Sequence, residues 1–363
     1  MDFRIERLHR EAAKQEQALS LAGGLPLASL FPRDELFGAA EQLNDGARDE
    51  ALQYTWPEGS EVLREWVAQG LRARGAPVRA SDVLITNGAQ QALSLLVSAL
   101  GLSRARIAAD ELSYPGAIDL FRHAEVRLVT EGPVVARYVI PGASNPLGLG
   151  LDSRRRQQLL ASGVPLIADE AYAELRYDGM PERPLLADAP DRVFHVGTLS
   201  KTLCPGLRVG WLIAPPGFRG ALLEAKRDAD LQAPSLTQAL AERVLTRLDW
   251  SAHLKRAREA YVCRVTRLMR SVRRWLPGFS FVEPEGGFTL FIQSNEPGLD
   301  EMKLLELATD FGTSFDPGRM FRVDEDSPGP CAMRISPCNI PEDRIDEAVQ
   351  RLSRAVTACR KAA

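Results

Sequence analysis

Apolar positions in the first eighteen residues recur along one helical face, at Ile5, Leu8 and Ala12, and predict an amphipathic helix. In the loop "SLAGGLPLASLFP" that follows, the Gly23-Gly24 pair and two prolines predict an irregular, close-packed connection. Helical periodicity returns in "RDELFGAAEQLN" and again in "GSEVLREWVAQGLRARG", the second opened by Ser60 as an N-cap.

From about residue 82 the pattern changes to short apolar runs separated by helical stretches: "DVLIT", "RIAAD", "EVRLVT", "VARYVI", "VPLIADE", "RVFHVG" and "GLRVGWLIA". These runs lack strict in–out alternation, as strands buried on both faces do, so they predict an α/β unit with a mostly parallel sheet flanked by helices. A long charged helix from roughly Trp250 to Leu276 leads into a second pattern. There "FSFVEPEGGFTLFIQ" predicts a hairpin, "EMKLLELATDFG" a helix, "CAMRISP" a strand, and the last segment a terminal helix started by Pro341. The expected organisation is an N-terminal arm with part of a small domain (1–45), a large domain (46–255) and a smaller C-terminal α+β domain (256–363).

Composition narrows the field without naming a chemistry. The 363 residues are 45% hydrophobic with a net charge of −3, an ordinary globular balance that points to neither nucleic acid nor an anionic membrane as a partner. The N-terminus is charged throughout and has no apolar leader-like run, so the expected location is the cytoplasm. Five cysteines with no C-x-x-C pair predict neither a disulfide framework nor a zinc site, and no metal is expected. No H-E-x-x-H, G-x-S-x-G, P-loop or G-x-G-x-x-G signature is present.

The polar residues of interest sit just after the apolar runs, where ligands bind in open α/β sheets. The turn Asn87-Gly88-Ala89-Gln90 opens an apolar helix; its N–H groups and positive dipole end suit a phosphate, and an ordinary strand-to-helix turn is the alternative. Asp169 ends an apolar strand, where a carboxylate costs desolvation unless a cation or strong donor faces it. Capping or ion pairing by Asp169 or Glu170 is the alternative. Asn145 before Pro146 reads first as a turn residue, and Tyr114 before Pro115 as a loop aromatic able to stack on a flat ring. In "GTLSKTLCPGLRVGWL", Lys201 lies among Thr198, Ser200, Thr202 and Arg208, residue types that bind phosphate. A lysine is nucleophilic only when its amine is deprotonated or held as an imine, and a plain surface lysine is the commoner case.

Taken in order along the chain, these segments resemble the pyridoxal-phosphate-dependent class I/II aminotransferases of fold type I. The resemblance is strongest to the subgroup holding 2-aminoadipate and kynurenine aminotransferases and the aminotransferase-like half of the MocR regulators. It runs from "LAGGLP" and "LQYTWPEGSEVLREWVA" through "TNGAQQAL", "YPGA", "SNPLG" and "DEAYAELRYDG" to "PEGGF" and "RISPCN", with "SKTLCPGLRVGW" the most specific segment.

The resemblance implies a large domain and a smaller α+β domain, pyridoxal 5'-phosphate as cofactor, and transfer of an amino group from an L-amino acid to a 2-oxo acid, 2-oxoglutarate or pyruvate, by a ping-pong scheme. It implies Lys201 as the lysine that condenses with the cofactor aldehyde and later moves the substrate α-proton, and Asp169 as the partner of the ring nitrogen. Tyr114 would stack on the ring, and Asn145 and Tyr172 would bond its phenolic oxygen. Gly88, Ala89, Gln90, Thr198, Ser200 and Arg208 would hold the phosphate, with Tyr54 reaching the phosphate of a second subunit, so a homodimer is implied. Arg334 would clamp the substrate carboxylate in bidentate fashion, and Gly24 would let the N-terminal loop pass close to the substrate.

The chain departs from the family pattern in several places. Ala89 stands where serine is common, "SNPLG" replaces "QNPTG", and Thr198 replaces a frequent serine. Only "EGPV" lies between "EVRLVT" and "VARYVI", where relatives carry a longer excursion with a helix. A MocR-type regulator would need an N-terminal winged-helix domain, whereas this chain begins directly with the enzyme segment. Another cofactor-dependent outcome on the same fold, such as elimination, cyclisation, decarboxylation or oxidation, stays as the alternative, and a binding protein without turnover is more distant.

Overall fold

A computed structural model describes residues 3–15, 17–324 and 329–361. The chain opens with helix α1 (Phe3–Lys14), which buries Ile5, Leu8 and Ala12 as the periodicity predicts. Strand β1 (Leu19–Ser20) follows, then helices α2 (Arg33–Glu41), α3 (Asp45–Leu52) and α4 (Glu61–Ala73). Ser60 caps α4, its hydroxyl accepting the Leu63 N–H.

All seven apolar runs form strands of one sheet. They are β2 (Val83–Thr86), β3 (Arg106–Ala109), β4 (Arg127–Val129), β5 (Ala136–Val139), β6 (Leu166–Asp169), β7 (Val193–Thr198) and β8 (Gly210–Ile213). Helices α5 (Gly88–Ala99) and α6 (Pro115–His123) follow β2 and β3, and α7 (Ser153–Ala161) precedes β6. After β8 come α8 (Arg219–Asp230), α9 (Ser235–Leu245) and the long α10 (Trp250–Trp275).

The sheet order is β2-β8-β7-β6-β5-β3-β4, and only β8 runs against its neighbours. Successive residues of a strand point to opposite faces, and here both faces are apolar. Leu166, Ala168 and Val193 pack beneath α4 and α9, whereas Ile167 and Phe194 pack with α5, α6 and α8. This two-sided burial is why the strands read as continuous apolar runs. Between β4 and β5 the link spans only residues 130–135 and contains no helix. It still crosses β3, because six extended residues reach about 20 Å.

The remaining elements are β9 (Phe279–Ser280), β10 (Leu290–Ser294), α11 (Glu301–Asp310), β11 (Thr313–Ser314), β12 (Asp316–Pro317), β13 (Ala332–Ile335) and α12 (Ile345–Lys361). Strands β12-β13-β10-β9 form an antiparallel sheet. Its core takes Ile5 and Leu8 of α1 together with Val265 and Val272 of α10 and Leu352 of α12. Strand β1 pairs in parallel with β11, two residues against two. This two-stranded sheet, separate from the four-stranded one, ties the N-terminal loop to the C-terminal part of the chain. Among the described residues no helix is long and apolar enough to cross a membrane.

Candidate active site

Strand ends bring the chemistry together. The segments after β2, β3, β5, β6 and β7, and the turn into β8, line one cavity with Ala89, Gln90, Tyr114, Asn145, Asp169, Tyr172, Thr198, Ser200, Lys201 and Arg208. Gly88 opens the helix beneath it, and Gly24 and Arg334 lie beside it. Tyr54 is not among these residues; it projects from the loop after α3 and is 76% exposed.

Lys201 stands in the turn after β7. Its Nζ donates to the Gly24 carbonyl at 3.2 Å and lies 5.6 Å from the centre of the Tyr172 ring. Burial pulls its pKa down to about 8; nearby Arg334 and Arg208 push the same way, and Asp169 opposes them. His253 of α10 holds the turn from behind, its Nε2 sitting 2.7 Å from the Thr202 carbonyl.

Asp169 is held by neutral donors. The Tyr138 hydroxyl donates to Oδ2 at 2.8 Å and the Ala171 N–H to Oδ1 at 3.3 Å. Burial raises its pKa, against those two bonds and the weaker pull of His195 and Lys201. The neighbouring Glu170 behaves oppositely: Arg74 meets it at 2.5 Å and His195 at 3.4 Å. Burial alone would raise Glu170, but these partners bring it down to about 2. The ion-pair role that the sequence leaves open therefore falls to Glu170.

The turn Asn87–Gly88 has the form of an anion cradle. Gly88 has φ +77°, and a side chain there would collide with the Arg208 guanidinium. A Cβ at Gly210 would lie 2.6 Å from the Gly88 carbonyl carbon and 2.8 Å from the Ala89 nitrogen. The Asn87 side chain does not cap α5, so the first N–H groups of that helix keep their capacity for an anion. Arg208, at φ +54°, bridges the two halves of the cradle, with Nη1 3.4 Å from Ser200 Oγ and Nη2 3.3 Å from the Asn87 carbonyl. Thr198 braces the loop, its Oγ1 accepting the Ser200 N–H and lying 2.9 Å from both Ser200 Oγ and the Val209 carbonyl.

Arg334 of β13 is buried with its counter-ion. Nε and Nη2 donate to Asp316 Oδ2 at 3.1 and 2.6 Å, and Nη1 donates to Asn145 Oδ1 at 2.9 Å. The Phe321 ring supports the guanidinium from 4.8 Å. A Cβ on Gly24 would lie 3.1 Å from Nη1 and 3.2 Å from Nη2, squarely in the open fork. Glycine at 24 therefore leaves room for a carboxylate there.

Sequence reasoning misses Asp316 and Tyr138. Asp316 sits in the two-residue strand β12 with no local motif, and Tyr138 lies inside an apolar run that reads as core. Only a spatial criterion, a polar partner facing a buried charge, finds either residue.

These features fit pyridoxal phosphate: a phosphate cradle at a helix start, a buried carboxylate with only neutral partners, a neutral aromatic flank and a buried amine. Tyr114, pushed up to about 12 chiefly by burial, keeps its proton at neutral pH. The sequence profile of the class I and II aminotransferases matches residues 131–352. The chain is 33% identical to a 2-aminoadipate transaminase of Thermus thermophilus, over 93% of this chain and 90% of that protein. It is 30% identical to aromatic-amino-acid aminotransferase 1 of Thermococcus litoralis, over 93% of this chain and 88% of that one. The crystal structure of a Thermus thermophilus α-aminoadipate aminotransferase, complexed with N-(5'-phosphopyridoxyl)-L-leucine, superposes with a TM-score of 0.88 at 30% identity, covering 99% of this chain and 97% of that one. The chain therefore belongs to the class I and II aminotransferases, pyridoxal-phosphate-dependent enzymes of fold type I.

Proposed function

We propose that the enzyme moves the amino group of an L-amino acid to a 2-oxo acid, 2-oxoglutarate or pyruvate, in two half-reactions at one site, as a cytoplasmic homodimer. The observation that carries this reading is the position of Gly24. Its carbonyl takes the Lys201 amine at 3.2 Å, while a Cβ on it would enter the Arg334 fork. A carboxylate-binding fork and a base are thus one residue's width apart, the separation an α-amino acid needs.

Bound pyridoxal phosphate supplies the electron sink for the bond broken at the substrate α-carbon. The chain's residues do the rest. Lys201, with a pKa of about 8, would take the substrate α-proton on Nζ and hold it there for return. Asp169, its carboxylate held in place by Tyr138, would pair with the cationic ring nitrogen. Tyr114, which lines the cavity, would stack on the ring. The Asn145 amide nitrogen, left over because its oxygen serves Arg334, and the Tyr172 hydroxyl would bond the ring oxygen. Gly88, Ala89, Gln90, Ser200 and Arg208 hold the phosphate, with Thr198 bracing them. Arg334 grips the α-carboxylate end-on with the protons not given to Asp316 and Asn145. Leu52, Tyr54 and Trp56 form an exposed apolar edge, 76%, 76% and 80% exposed, that suits a partner subunit, with Tyr54 entering its phosphate site.

The test is a half-reaction. Purified enzyme should be yellow, and borohydride or Lys201→Ala should abolish the absorbance of the lysine-bound cofactor. With an amino donor and no acceptor, conversion should stop at one equivalent per site. Repeated turnover without any 2-oxo acid would replace this reading with the elimination or oxidation alternative.

A further inference from the structure

A buried charge behind the phosphate turn takes no part in the steps above. Lys226, on α8, is fully buried. Its Nζ donates to Asp230 Oδ1 at 2.5 Å and to Gln91 Oε1 at 3.0 Å. Gln91 Nε2 closes the triangle on Asp230 Oδ2 at 2.5 Å. Gln91 Oε1 also accepts the Asn87 N–H at 2.7 Å, and Asn87 directly precedes Gly88. The Asn87 carbonyl, on the other side of the same residue, receives Arg208.

The chemistry of the three groups fixes a direction. An ammonium can only donate, a carboxylate can only accept, and a glutamine amide can turn either end toward a neighbour. Lys226 obliges Gln91 to present its oxygen, and Asp230 takes the amide N–H₂. That oxygen is then available to Asn87 N–H. Without both charges nothing fixes the amide, and a flipped amide would set N–H against the Asn87 N–H and release the turn. Burial lowers the Lys226 pKa and the Asp230 contact opposes that shift, so the pair is kept at a desolvation cost that α8 alone does not require.

We propose that Lys226, with Asp230 and Gln91, is a positioning device for the cofactor phosphate. It holds the Asn87–Gly88 turn so that the N–H groups opening α5 converge on one anion. The inference rests on the reading of that turn as the phosphate site. It is distinct from the phosphate contacts, because none of the three side chains lines the cavity.

The experiment compares pyridoxal 5'-phosphate with pyridoxal, which lacks the phosphate, by equilibrium dialysis of the full-length enzyme. Gln91→Leu removes the acceptor for Asn87 and leaves Lys226 and Asp230 paired, so folding is protected. Lys226→Met/Asp230→Leu removes both charges together. Both variants should weaken pyridoxal 5'-phosphate binding by about tenfold, the order of one misdirected charge-assisted hydrogen bond, and leave pyridoxal within about twofold. Equal weakening of both ligands, or of neither, would overturn the proposal. Arg208→Leu, measured alongside, separates the two failures. If it selectively weakens the phosphorylated ligand while the network variants do not, the inference falls and the phosphate site stands. If it does not, the phosphate site itself is misassigned.

Discussion

Asp169 and Glu170 are neighbours at the end of β6, both buried, and they face opposite sides of the sheet. Burial penalises both carboxylates alike, yet one is raised and the other brought down to about 2. The difference lies in the partners. Glu170 has a guanidinium at 2.5 Å and an imidazole at 3.4 Å, whereas Asp169 has a phenol and a peptide N–H. A buried acid whose charge is already answered is part of the framework. One held by neutral donors still lacks a cation, and on this chain the missing charge is the proposed cofactor ring nitrogen.

The sharpest way to break this contrast is to neutralise each acid without changing its shape. Asp169→Asn removes the charge that faces the ring nitrogen, and activity should fall on the order of 10²- to 10³-fold, as when one preorganised electrostatic group is lost. Unfolding of that variant should barely change, because the amide oxygen still accepts the Ala171 N–H and the amide nitrogen can donate to the Tyr138 oxygen, whose hydroxyl turns to accept. Near-normal turnover in steady-state assays would remove Asp169 from the chemistry. Glu170→Gln should do the reverse. It strands Arg74, so the denaturation midpoint should drop by the equivalent of about 3–5 kcal/mol, near the lower end because Arg74 keeps the Glu182 carbonyl. Turnover per folded site should stay within about threefold, less than one hydrogen bond's worth.

This contrast is only half legible in the sequence. A carboxylate closing an apolar run is visible as a problem, and so is Lys201 among hydroxyls, because the strand, the turn and the polar residue are contiguous. All seven strands of the large sheet are readable for the same local reason. What answers each charge is not readable. Arg74 comes from the end of α4, His195 from β7 and Tyr138 from β5, and each looks like ordinary surface or core within its own segment. Asp316, which orients Arg334, lies in a strand too short to show a period, and the β1–β11 pair joins residues 19–20 to 313–314. Helices α3, α8 and α9 are not delimited by the sequence pattern. Their faces are set by packing on elements far away in sequence, such as α9 against α2 and α3.

A smaller perturbation tests whether Tyr138 serves Asp169 or merely fills the core. Tyr138→Phe keeps the ring, which packs edge-on to Phe121 at 5.6 Å, and removes only the hydroxyl. The loss of one hydrogen bond to a charged group is worth about 1.5–3 kcal/mol, so kcat should fall roughly tenfold with little change in KM. A change confined to stability, with kcat unaltered, would make Tyr138 a core residue.

The smallest effect falls on Lys201 and asks whether the two acids are felt across the sheet. In cofactor-free enzyme, capture of pyridoxal phosphate requires the unprotonated amine, so its rate should rise about tenfold per pH unit below the lysine pKa and level off above it. With a pKa of about 8 that bend lies near neutral pH and far from the 10.5 of a free lysine. Asp169 is the group that opposes the downward pull of burial, Arg334 and Arg208; removing its charge leaves those pulls unopposed. The bend in Asp169→Asn should therefore move below 8. Glu170 is not among the groups that shift Lys201, and Arg74 answers its charge on the far face, so the bend in Glu170→Gln should stay in place. Stopped-flow capture rates across about pH 6 to 10 span both arms of the curve on either side of that pKa. Equal shifts in the two variants would mean that the charges on the two faces are not insulated, and that the division between framework acid and site acid fails.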